Sequence, residues 1–576
     1  MPLRNSRFAA VILVITCLTA AMAGTPTAPS SAASGSRGDN DDPSGPVRPT
    51  VPAADRHTPG RVFLERADSL MANPRVPDAQ ILVGDVVFRR GDMMMYCDSA
   101  IFFSTAASDS MEAYGSIRME QGDTLFLYGD WLEYSGSLAL ATVYADDGNT
   151  VRLINRDVTL TTTVVNYDMN IDLGYYNVGG TLTDPRNTLS SAEGEYSPST
   201  KDANFYRHVR LEGITEAGDS VWVFSDTLSY NTDTRIATLT CPSRIISKDG
   251  EILTSNGIFN TATNHTSLFD RSIVKTSNGN TLCGDTLFYD RTAGRGEAFG
   301  NMVLTDSARQ ITLEGDYGFY NELTDSAYVT GRARALEHSR PDTLYLHSEV
   351  IRSFTVTADS AGTDTAHLLV ANPRVRFFRA DLQGICDSMT FVETDSTLHM
   401  NIHPIVWSDN RQIFGNVIKV FMNDSTVERA HLPESGFMAE HIEGDYFNQL
   451  SGKEMLAYME DGHLRRLDVN GSVQGIIMPM ENDSTYNKVA NVESSFLIAM
   501  FKANQLERAR MWDATSGTVT PLYLARRSLF RLPKFAWYEV LRPTSPDDIF
   551  RYPPEMEQLM AAPDNTRHTS NASQQP

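Results

Sequence analysis

The feature of this sequence that most constrains its fold is an internal repeat of about 30 residues. One copy reads CGDTLFYDRTAGRGEAFGNMVLTD and spans residues 283–306. Its core begins at Asp285 and closes at Tyr289, and equivalent closing positions occur at 102, 134, 167, 196, 230, 260, 289 and 320, all of them aromatic except Asn260. Successive closing positions lie 29 to 34 residues apart. Such a period indicates an array of one supersecondary unit, in which each copy buries its apolar side against its neighbours.

Each unit reads as two β-strands joined by a turn. Val, Ile, Leu, Thr and Tyr alternate with polar residues over short runs, and dipeptides such as Asp249-Gly250 and Asn278-Gly279 separate the runs. Helical periodicity is nearly absent. The best exception is residues 494–510, which fit a helix or a pair of strands equally well. The pattern therefore predicts an all-β fold of repeated antiparallel strands.

The alternation also predicts which side chains face the interior. Positions two and four after the start of each core are consistently apolar, whereas positions one and three are mostly polar, as in Leu287 and Tyr289 against Thr286. Alternate side chains of a strand point to opposite faces, so the first set is predicted to line a continuous apolar interior. These interior-facing candidates are Phe102, Leu132, Tyr134, Val165, Tyr167, Leu228, Tyr230, Leu287, Tyr289, Tyr320, Met389 and Phe391.

The charge balance excludes some classes of partner. The chain of 576 residues has 49 basic and 72 acidic side chains and a formal net charge of −23. A nucleic-acid-binding protein needs a basic stripe, so we expect no nucleic-acid partner. The same balance argues against simple electrostatic attachment to an anionic lipid surface.

The first residues predict export. Arg4 and Arg7 precede an apolar run and a small-x-small cleavage site at Ala21-Met22-Ala23, which is typical of a secretory signal peptide. The predicted organisation is a signal peptide at 1–23, a disordered linker at 24–60, β-segments at 61–212 and 213–378, a diverged third β-segment at 379–525, and a Pro-rich and disordered tail at 526–576. Cys97, Cys241, Cys283 and Cys386 form no CxxC pattern and are predicted to be small buried residues.

Motifs for catalysis, cofactors and metals were not found. HExxH, GxxxxGK[ST], GxSxG and CxxC are all absent, and most carboxylates begin or end strands, where Asp caps the backbone. The sequence therefore predicts a protein that is not an enzyme and binds no cofactor or metal.

The ordered series of units resembles a known family. GDTLFYD at residues 284–290, followed by the Ala298-Phe-Gly-Asn strand, resembles units of the OstA/LptA family of lipopolysaccharide-transport proteins. The stretch from Asn166 to Gly180 resembles in particular the OstA-like proteins of Bacteroidota. The resemblance is good over residues 75–350 and looser over 380–510. It implies an elongated, twisted β-jelly roll that is open along one side, with several segments in tandem.

The resemblance also implies a function. Members of the family shield the acyl chains of lipid A in an apolar β trough, so the twelve interior-facing candidates become candidate lipid-binding residues. Shielding is needed because each methylene exposed to water costs about 0.8 kcal/mol. The implied location is the periplasm, with association at the outer membrane. The implied partners are lipopolysaccharide, other Lpt-type envelope proteins joined by edge-strand addition, and further copies of the chain joined head to tail.

Two alternatives stay open at this point, because any β-solenoid or sandwich needs alternating apolar residues. An exported β-solenoid that acts on or binds polysaccharide requires a groove of clustered carboxylates on an outer face. A structural envelope scaffold requires a repeated recognition row on its outside. The outward-facing Trp131 and Phe288 do not recur in the other units, which weakens the scaffold hypothesis.

A recurrent Asp-Ser/Thr tripeptide resembles the O-glycosylation signal of exported Bacteroidota proteins. Most copies begin strands of the repeat, which explains them without a glycan. Asp109, Asp359 and Asp364 lie outside the repeat cores and are the better glycan candidates.

Overall fold

The computed structural model describes residues 61–72, 79–105, 108–216, 218–339, 342–357, 365–422, 427–460, 463–479, 485–502 and 505–561. The predicted signal peptide and linker lie outside these residues. The chain divides into two compact units, and their boundary falls near residue 213. Among the described residues, the first unit contains 61–213 and 226–235, and the second contains 214–225 and 236–561. No helix in the described part of the chain is both long enough and apolar enough to span a membrane.

The strands between residues 63 and 231 are β1 (Phe63–Arg66), β2 (Ser69–Ala72), β3 (Ala79–Arg90), β4 (Met93–Ser104), β5 (Asp109–Gln121), β6 (Leu125–Ser135), β7 (Leu140–Tyr144), β8 (Val151–Asn155), β9 (Val158–Thr162), β10 (Val164–Asp168), β11 (Leu173–Tyr176), β12 (Gly180–Thr183), β13 (Asn187–Ser191), β14 (Glu193–Tyr196), β15 (Asp202–Ile214) and β16 (Ser220–Asn231).

The second unit continues with β17 (Ile236–Leu239), β18 (Ser243–Ser247), β19 (Gly250–Thr254), β20 (Asn256–Asn260), β21 (His265–Thr276), β22 (Thr281–Asp290), β23 (Arg295–Asp306), β24 (Ile311–Asn321), β25 (Ser326–Thr330), β26 (Arg334–Glu337), β27 (Leu344–His347), β28 (Val350–Thr357), β29 (Thr365–Asn372) and β30 (Val375–Arg379). It ends with β31 (Leu382–Cys386), β32 (Ser388–Val392), β33 (Thr397–Asn401), β34 (Ile405–Ser408), β35 (Arg411–Phe414), β36 (Val417–Met422), β37 (Val427–Leu432), β38 (Gly436–Glu443), β39 (Tyr446–Gly452), β40 (Glu454–Glu460), β41 (His463–Ile477), β42 (Lys488–Lys502), β43 (Gln505–Trp512) and β44 (Ser516–Pro521). Four short 3-10 helices follow (Leu522–Leu524, Arg527–Leu529, Glu539–Leu541, Asp548–Phe550), and then one α-helix, α1 (Pro554–Ala561).

In the first unit, long bent strands divide the sheet into two layers. Residues 131–135 of β6 pair with β7, whereas residues 125–128 pair with β8. Layer A continues from β7 through β10, β11 and β14, and layer B continues from β8 through β9, β12 and β13. The layers meet again at β15, whose residues 203–206 and 210–213 pair with β14 and β13. The layers are thus joined along one side by the bends of the long strands, and apolar side chains fill the space between them.

The second unit repeats this division between β24 and β41. Residues 317–321 of β24 pair with β25, and residues 311–314 pair with β26. Its layer A runs through β25, β28, β29, β32, β33, β36, β37 and β40, and its layer B runs through β26, β27, β30, β31, β34, β35, β38 and β39. All of these pairings are antiparallel. The prediction of an all-β fold made of repeated antiparallel strands is therefore confirmed.

Where a repeat core begins with Asp inside a long strand, as at Asp98 and Asp285, the aspartate lies at the bend of that strand. Opposite Asp98, the chain passes through Gly115 with φ of +79°, and a Cβ on that glycine would meet the Asp98 carboxylate at 2.3 Å. Asp285 faces Gly300 in the same way and accepts a hydrogen bond from Asn301 Nδ2 at 2.7 Å. The recurrence of Asp at this position of the repeat thus reflects a corner where the backbone adopts a left-handed conformation.

Residues 494–510, which fitted a helix or a pair of strands, form strands. Phe496 pairs with Trp512 and Met500 pairs with Arg508, so most of this segment belongs to the hairpin of β42 and β43. Tertiary pairing decides the outcome, because β42 also pairs with β41 along most of its length.

The C-terminal segment differs from the predicted Pro-rich and disordered tail over residues 526–561. Residues 530–561 form a strap that lies on the outer face of layer B in the second unit. Its Leu541 and Met556 pack on Ile385, Ile405 and Trp407, all of them almost fully buried. This packing explains why β31 and β34 are buried on both faces. Residues 562–576 of the predicted tail lie outside the described residues.

Three glutamines on layer B hold the strap, two of them by its backbone and one through a side chain. Gln449 Nε2 donates to Phe530 O at 2.8 Å, and its Oε1 accepts from Leu532 N at 2.9 Å. Gln412 makes the same pair of bonds to Ala536 O (2.9 Å) and Tyr538 N (2.8 Å).

The third glutamine, Gln383, accepts from Arg542 Nε at 2.8 Å. The two Gln amides bind the strap as a neighbouring β-strand would, and buried backbone groups of the strap are satisfied in this way.

Two further sequence features occupy buried positions. Cys97 and Cys386 are buried free thiols, and burial raises the pKa of Cys97 to about 12. Asp109, the first glycan candidate, is 2% exposed and accepts from Arg61 Nη1 and Val62 N, each at 2.9 Å. These contacts give Asp109 a structural role. Asp359 and Asp364 lie outside the described residues.

Candidate functional site

The twelve interior-facing candidates lie on the inner faces of the two units. Eleven of them are at most 8% exposed, and Met389 is half-buried. Seven belong to the first unit, and five, from Leu287 to Phe391, belong to the second. Their outward neighbours Thr286 and Thr390 are only half-buried, in line with the predicted alternation. The structure does not bring all twelve to one site, because the interior differs between the two units.

The interior of the first unit is filled by side chains. Near Leu132 and Tyr134 a cavity of only about 20 Å³ remains, and near Tyr167 one of about 10 Å³. A volume of this size holds at most one water molecule. Leu132, Val165 and Leu228 are 0 to 1% exposed, as expected of a close-packed core.

Hydrogen bonds of the closing tyrosines cross the open side of this interior. Asn155, at the end of β8 in layer B, donates to the hydroxyl of Tyr196, at the end of β14 in layer A, with an Nδ2–OH distance of 3.0 Å. The Tyr230 hydroxyl accepts from Asn187 Nδ2 at 2.8 Å and donates to Asp184 Oδ2 at 2.5 Å.

The bond recurs in the second unit, where Asn280 Nδ2 lies 3.2 Å from the hydroxyl of Tyr320. We call these contacts tyrosine clasps. In each, the partner of the tyrosine lies 40 to 46 residues earlier in the chain. In the first unit the clasps link the two layers to each other at the strand ends on the open side.

Beyond the Tyr320 clasp, the space between the layers opens into a cavity of about 170 Å³. We call it the upper cavity. Layer A contributes Ile351, Leu369, Met389, Phe391 and Met400 to its wall, and layer B contributes Ala335, Leu344, Leu346, Phe377 and Leu382. The closing tyrosine is replaced here by Phe391, which has no hydroxyl to reach across. For comparison, an engineered apolar cavity of about 150 Å³ stays dry and takes up benzene.

A second cavity, of about 210 Å³, lies between the same two layers farther along the chain. We call it the lower cavity. Ile418, Val420 and Leu432 of layer A face Ile413 and Met438 of layer B across it. Small residues such as Ala430 and Ala457 leave this volume unfilled. The second unit therefore contains two apolar cavities in succession within one interlayer space.

A charged clasp closes the side of the upper cavity. Arg309, in the turn between β23 and β24, donates to Asp306 Oδ2 at 2.8 Å and to Asp325 Oδ2 at 3.0 Å. Asp325 precedes β25 of layer A, whereas the turn carrying Arg309 continues into the half of β24 that pairs with layer B. Burial by itself would lower the pKa of the Arg309 guanidinium, but the two carboxylates hold it above its usual value.

A histidine lines the same side of the upper cavity. His367 Nε2 lies 3.0 Å from Ser353 Oγ, and its Nδ1 lies 3.2 Å from Glu393 Oε2. The buried Oε2 of Glu337, across in layer B, has no hydrogen-bond partner among the described residues. The walls of the upper cavity are therefore apolar, and its open side carries more acidic than basic groups.

Two outward-facing aromatic residues belong to rows that the repeat pattern did not reveal. Trp131 stacks on Tyr144 of the next strand with ring centroids 3.8 Å apart. Phe288 contacts Phe299 at 5.9 Å, and Phe299 contacts Tyr317 at 4.9 Å. The rows arise from cross-strand neighbours, so a search for recurrence at one position of the repeat misses them.

Sequence reasoning identified Tyr320, Met389 and Phe391 among the residues that line the upper cavity, and it missed the others. Arg309, Asp325 and His367 lie in turns or at strand ends outside the repeat core. One signal could have located the cavity: the closing tyrosine disappears after residue 320, at the point where the repeat register loosens.

Two antiparallel layers, joined along one side and separated by apolar side chains, define the class of open β-jelly rolls. Within this class, residues 60–216 match the family described as OstA-like protein, which confirms the resemblance seen in the repeat units. The match covers about a quarter of the chain. Proteins of this family are envelope proteins of the transport and binding type, not enzymes. No curated protein matches the chain.

Proposed function

We propose that this chain is a periplasmic lipopolysaccharide-transport protein that shields lipid A acyl chains between the two layers of its second unit. The observation that carries the proposal is the upper cavity, which has mainly apolar walls, lies between two layers, and is filled by no side chain of the described residues. The lower cavity lies farther along the same interlayer space and would extend the path for the acyl chains.

The physical argument rests on the lining. An acyl chain leaves water for side chains of similar polarity, which contributes about 0.8 kcal/mol for each methylene buried. Apolar contacts have no directional demand, so cargo can slide along the walls. The acidic open side repels phosphate groups, which keeps an anionic head outside while the acyl chains remain inside.

Site-specific photo-crosslinking in cells tests the proposal. A photoreactive residue at Met389 faces the upper cavity, and one at Thr390 on the same strand faces outward. We expect an ultraviolet-dependent lipopolysaccharide adduct at position 389 and none at 390. Absence of an adduct at position 389 in a folded, exported protein would contradict the proposal, and equal adducts at both positions would mean that the contact is non-specific.

A position in the first unit provides a second control. Tyr230 is 1% exposed in the interior of the first unit, where the cavities described hold at most one water molecule, so a photoreactive residue there should give no lipid adduct. If position 230 reacts as strongly as 389, the lipid path includes the first unit, and the restriction of the site to the second unit is wrong.

Filling the upper cavity gives an independent readout in vitro. Ala371 lines the cavity directly opposite Met389 on the neighbouring strand. We expect Ala371→Phe to lower the uptake of a fluorescent fatty acid at least tenfold, while the thermal midpoint shifts only by the modest cost of overpacking. Unchanged uptake would place the probe outside this cavity.

We further propose that the first edge of the chain accepts a strand from another envelope protein or from a second copy. Among the described residues, β1 and β2 pair with β3 alone, and Phe63, Leu64, Leu70 and Met71 are 37 to 54% exposed. An exposed apolar edge is a template for strand addition. Substitution of Leu70 by Lys should abolish co-purification of that partner.

A further inference from the structure

The last edge of the second unit differs from the rest of the chain in charge. Residues 502–534 contain seven Lys and Arg residues and two acidic residues, a net charge of +5 within a chain of −23. Overall net charge argued against attachment to anionic lipid, but an average over 576 residues conceals this one basic end.

Four arginines of this end are exposed and without ion pairs in the described structure: Arg508, Arg510, Arg526 and Arg527. Most of the other exposed arginines described in the second unit have carboxylate partners, as Arg295 has Glu297 at 2.6 Å and Arg551 has Asp548 at 2.6 Å. The two exceptions, Arg332 and Arg352, lie over the rings of Phe550 and Tyr328. Unpaired guanidinium groups retain their full attraction for an external anionic surface.

Large apolar side chains are exposed beside these arginines. Tyr523 is 85% exposed, Val519 64%, Leu524 62% and Leu506 59%. Tyr523 and Leu524 belong to the 3-10 turn Leu522–Leu524, which directly follows β44 and is separated from Arg526 by Ala525 alone. Exposed tyrosine and leucine flanked by arginine is the composition of segments that settle into the interface of an anionic bilayer.

We propose that this C-terminal end, defined by β43, β44 and residues 522–527, docks on an anionic membrane surface. The arginines attract the lipid head groups, and Tyr523 and Leu524 enter the interface. Charged side chains also protect sheet edges against strand addition, which accounts for Arg508 and Arg510 on β43. Edge protection does not account for Tyr523 and Leu524, because exposed apolar residues favour association. The inference is independent of lipid uptake by the cavities.

Vesicle flotation with the full exported chain tests the proposal. The probes are vesicles of phosphatidylglycerol mixed with phosphatidylcholine, and vesicles of phosphatidylcholine alone. We expect flotation with the mixed vesicles only, and its loss in about 1 M salt, where the Debye length falls to about 3 Å. The double variant Arg526→Gln/Arg527→Gln should bind the mixed vesicles about 30-fold more weakly.

A matched variant controls for loss of positive charge. Arg244→Gln/Arg295→Gln removes two arginines that are 55% and 54% exposed and paired to Glu251 and Glu297. This variant should float as the unchanged chain does. Tyr523→Ser/Leu524→Ser should weaken flotation without changing its dependence on salt.

Three results would overturn the proposal: flotation with phosphatidylcholine alone at equal strength, no flotation with either vesicle, or flotation of Arg526→Gln/Arg527→Gln equal to that of the unchanged chain. Sedimentation velocity tests whether a second copy of the chain, and not a membrane, binds the basic end. Self-association of the unchanged chain that is lost in Arg526→Gln/Arg527→Gln would identify a second copy as the partner. Uptake of the fluorescent fatty acid should be the same in all these variants, so a failure of docking is distinguishable from a failure of the cavity.

Discussion

Single hydroxyl groups hold the open side of the first unit closed. The Tyr230 ring fills the interior, while its hydroxyl bonds to Asn187 and Asp184, which are 2% and 6% exposed. The tyrosine side chain thus provides both an apolar ring that packs in the interior and a hydroxyl that bonds to a polar partner across the open side. This explains the preference for Tyr over Phe at the closing position of the repeat.

Removal of one clasp hydroxyl should destabilise the first unit. Tyr230→Phe removes the hydroxyl that bonds to both Asp184 Oδ2 and Asn187 Nδ2, and these two buried groups keep only their bonds to each other and, for Asp184, to backbone amides. We expect the loss of these two bonds to lower the free energy of unfolding by about 1–3 kcal/mol. Tyr134→Phe is the matched control, because the Tyr134 hydroxyl has no hydrogen-bond partner among the described residues. Denaturant unfolding measures both, and equal losses would refute the role of the clasp.

Two glycine substitutions should separate the stability cost of backbone strain from the cost of a steric clash at a bend. Gly115→Ala forces an L-residue to φ of +79° and places its Cβ at 2.3 Å from Asp98, whereas Gly122→Ala at +62° meets nothing within 4 Å. We expect Gly122→Ala to cost about 1–2 kcal/mol from the left-handed backbone alone. Gly115→Ala should cost more, and thermal unfolding of the two variants gives the difference. Similar midpoints would mean that Asp98 moves aside freely.

The face of each candidate residue could be predicted from the sequence, but its polar partner could not. A period of two assigns Leu132, Tyr230 and Leu287 to the interior without knowledge of the fold. The partner of Tyr196 is Asn155, which lies 41 residues away in the other layer. Nothing in the alternation of one strand specifies which turn will face it across the gap.

At the level of elements, the strap depends on side chains outside itself. Its prolines prevent a regular strand or long helix, so its backbone groups need partners from elsewhere. Gln412 is fully buried and bonds to Trp407 Nε1 at 3.0 Å as well as to Ala536 and Tyr538 of the strap. The strap was predicted to be disordered because its own composition shows no periodicity, and the glutamines that order it lie 81 to 159 residues earlier.

Loss of one glutamine should release the strap. Gln412→Leu keeps the volume of the side chain but leaves Ala536 O, Tyr538 N and Trp407 Nε1 unsatisfied, at about 1–3 kcal/mol for each buried group. We expect faster tryptic cleavage after Arg526, Arg527 and Arg531. The control is Gln474→Leu, whose amide bonds only to Glu493 on the next strand. An unchanged rate in Gln412→Leu would show that apolar packing alone retains the strap.

At the level of the whole molecule, one repeat produces two kinds of interior. Where tyrosines close the gap, side chains fill the space, and where Phe391 replaces the tyrosine, cavities remain. The sequence predicted an apolar interior throughout, but the balance between filled and open space depends on the volumes of side chains from both layers. That balance emerges only when the layers are brought face to face.

Ligand binding should therefore protect one unit and not the other. A fatty acid in the upper cavity contacts β28, β29 and β32, so hydrogen exchange in these strands should slow on its addition. Exchange in β8 to β14 of the first unit should not change. Equal slowing in both units would contradict the division into a filled and an open interior.

The strap also carries a consequence for biosynthesis. Its contacts run backwards along the chain, since residues near 530, 536 and 542 reach β39, β35 and β31 in that order. The ribosome makes the strap after every strand that it covers, so Trp407 and its apolar neighbours stay uncovered until synthesis has passed residue 541. A chain interrupted upstream would expose that surface to proteases and chaperones. The apolar surface around Trp407 is therefore covered only in chains whose synthesis has passed the strap.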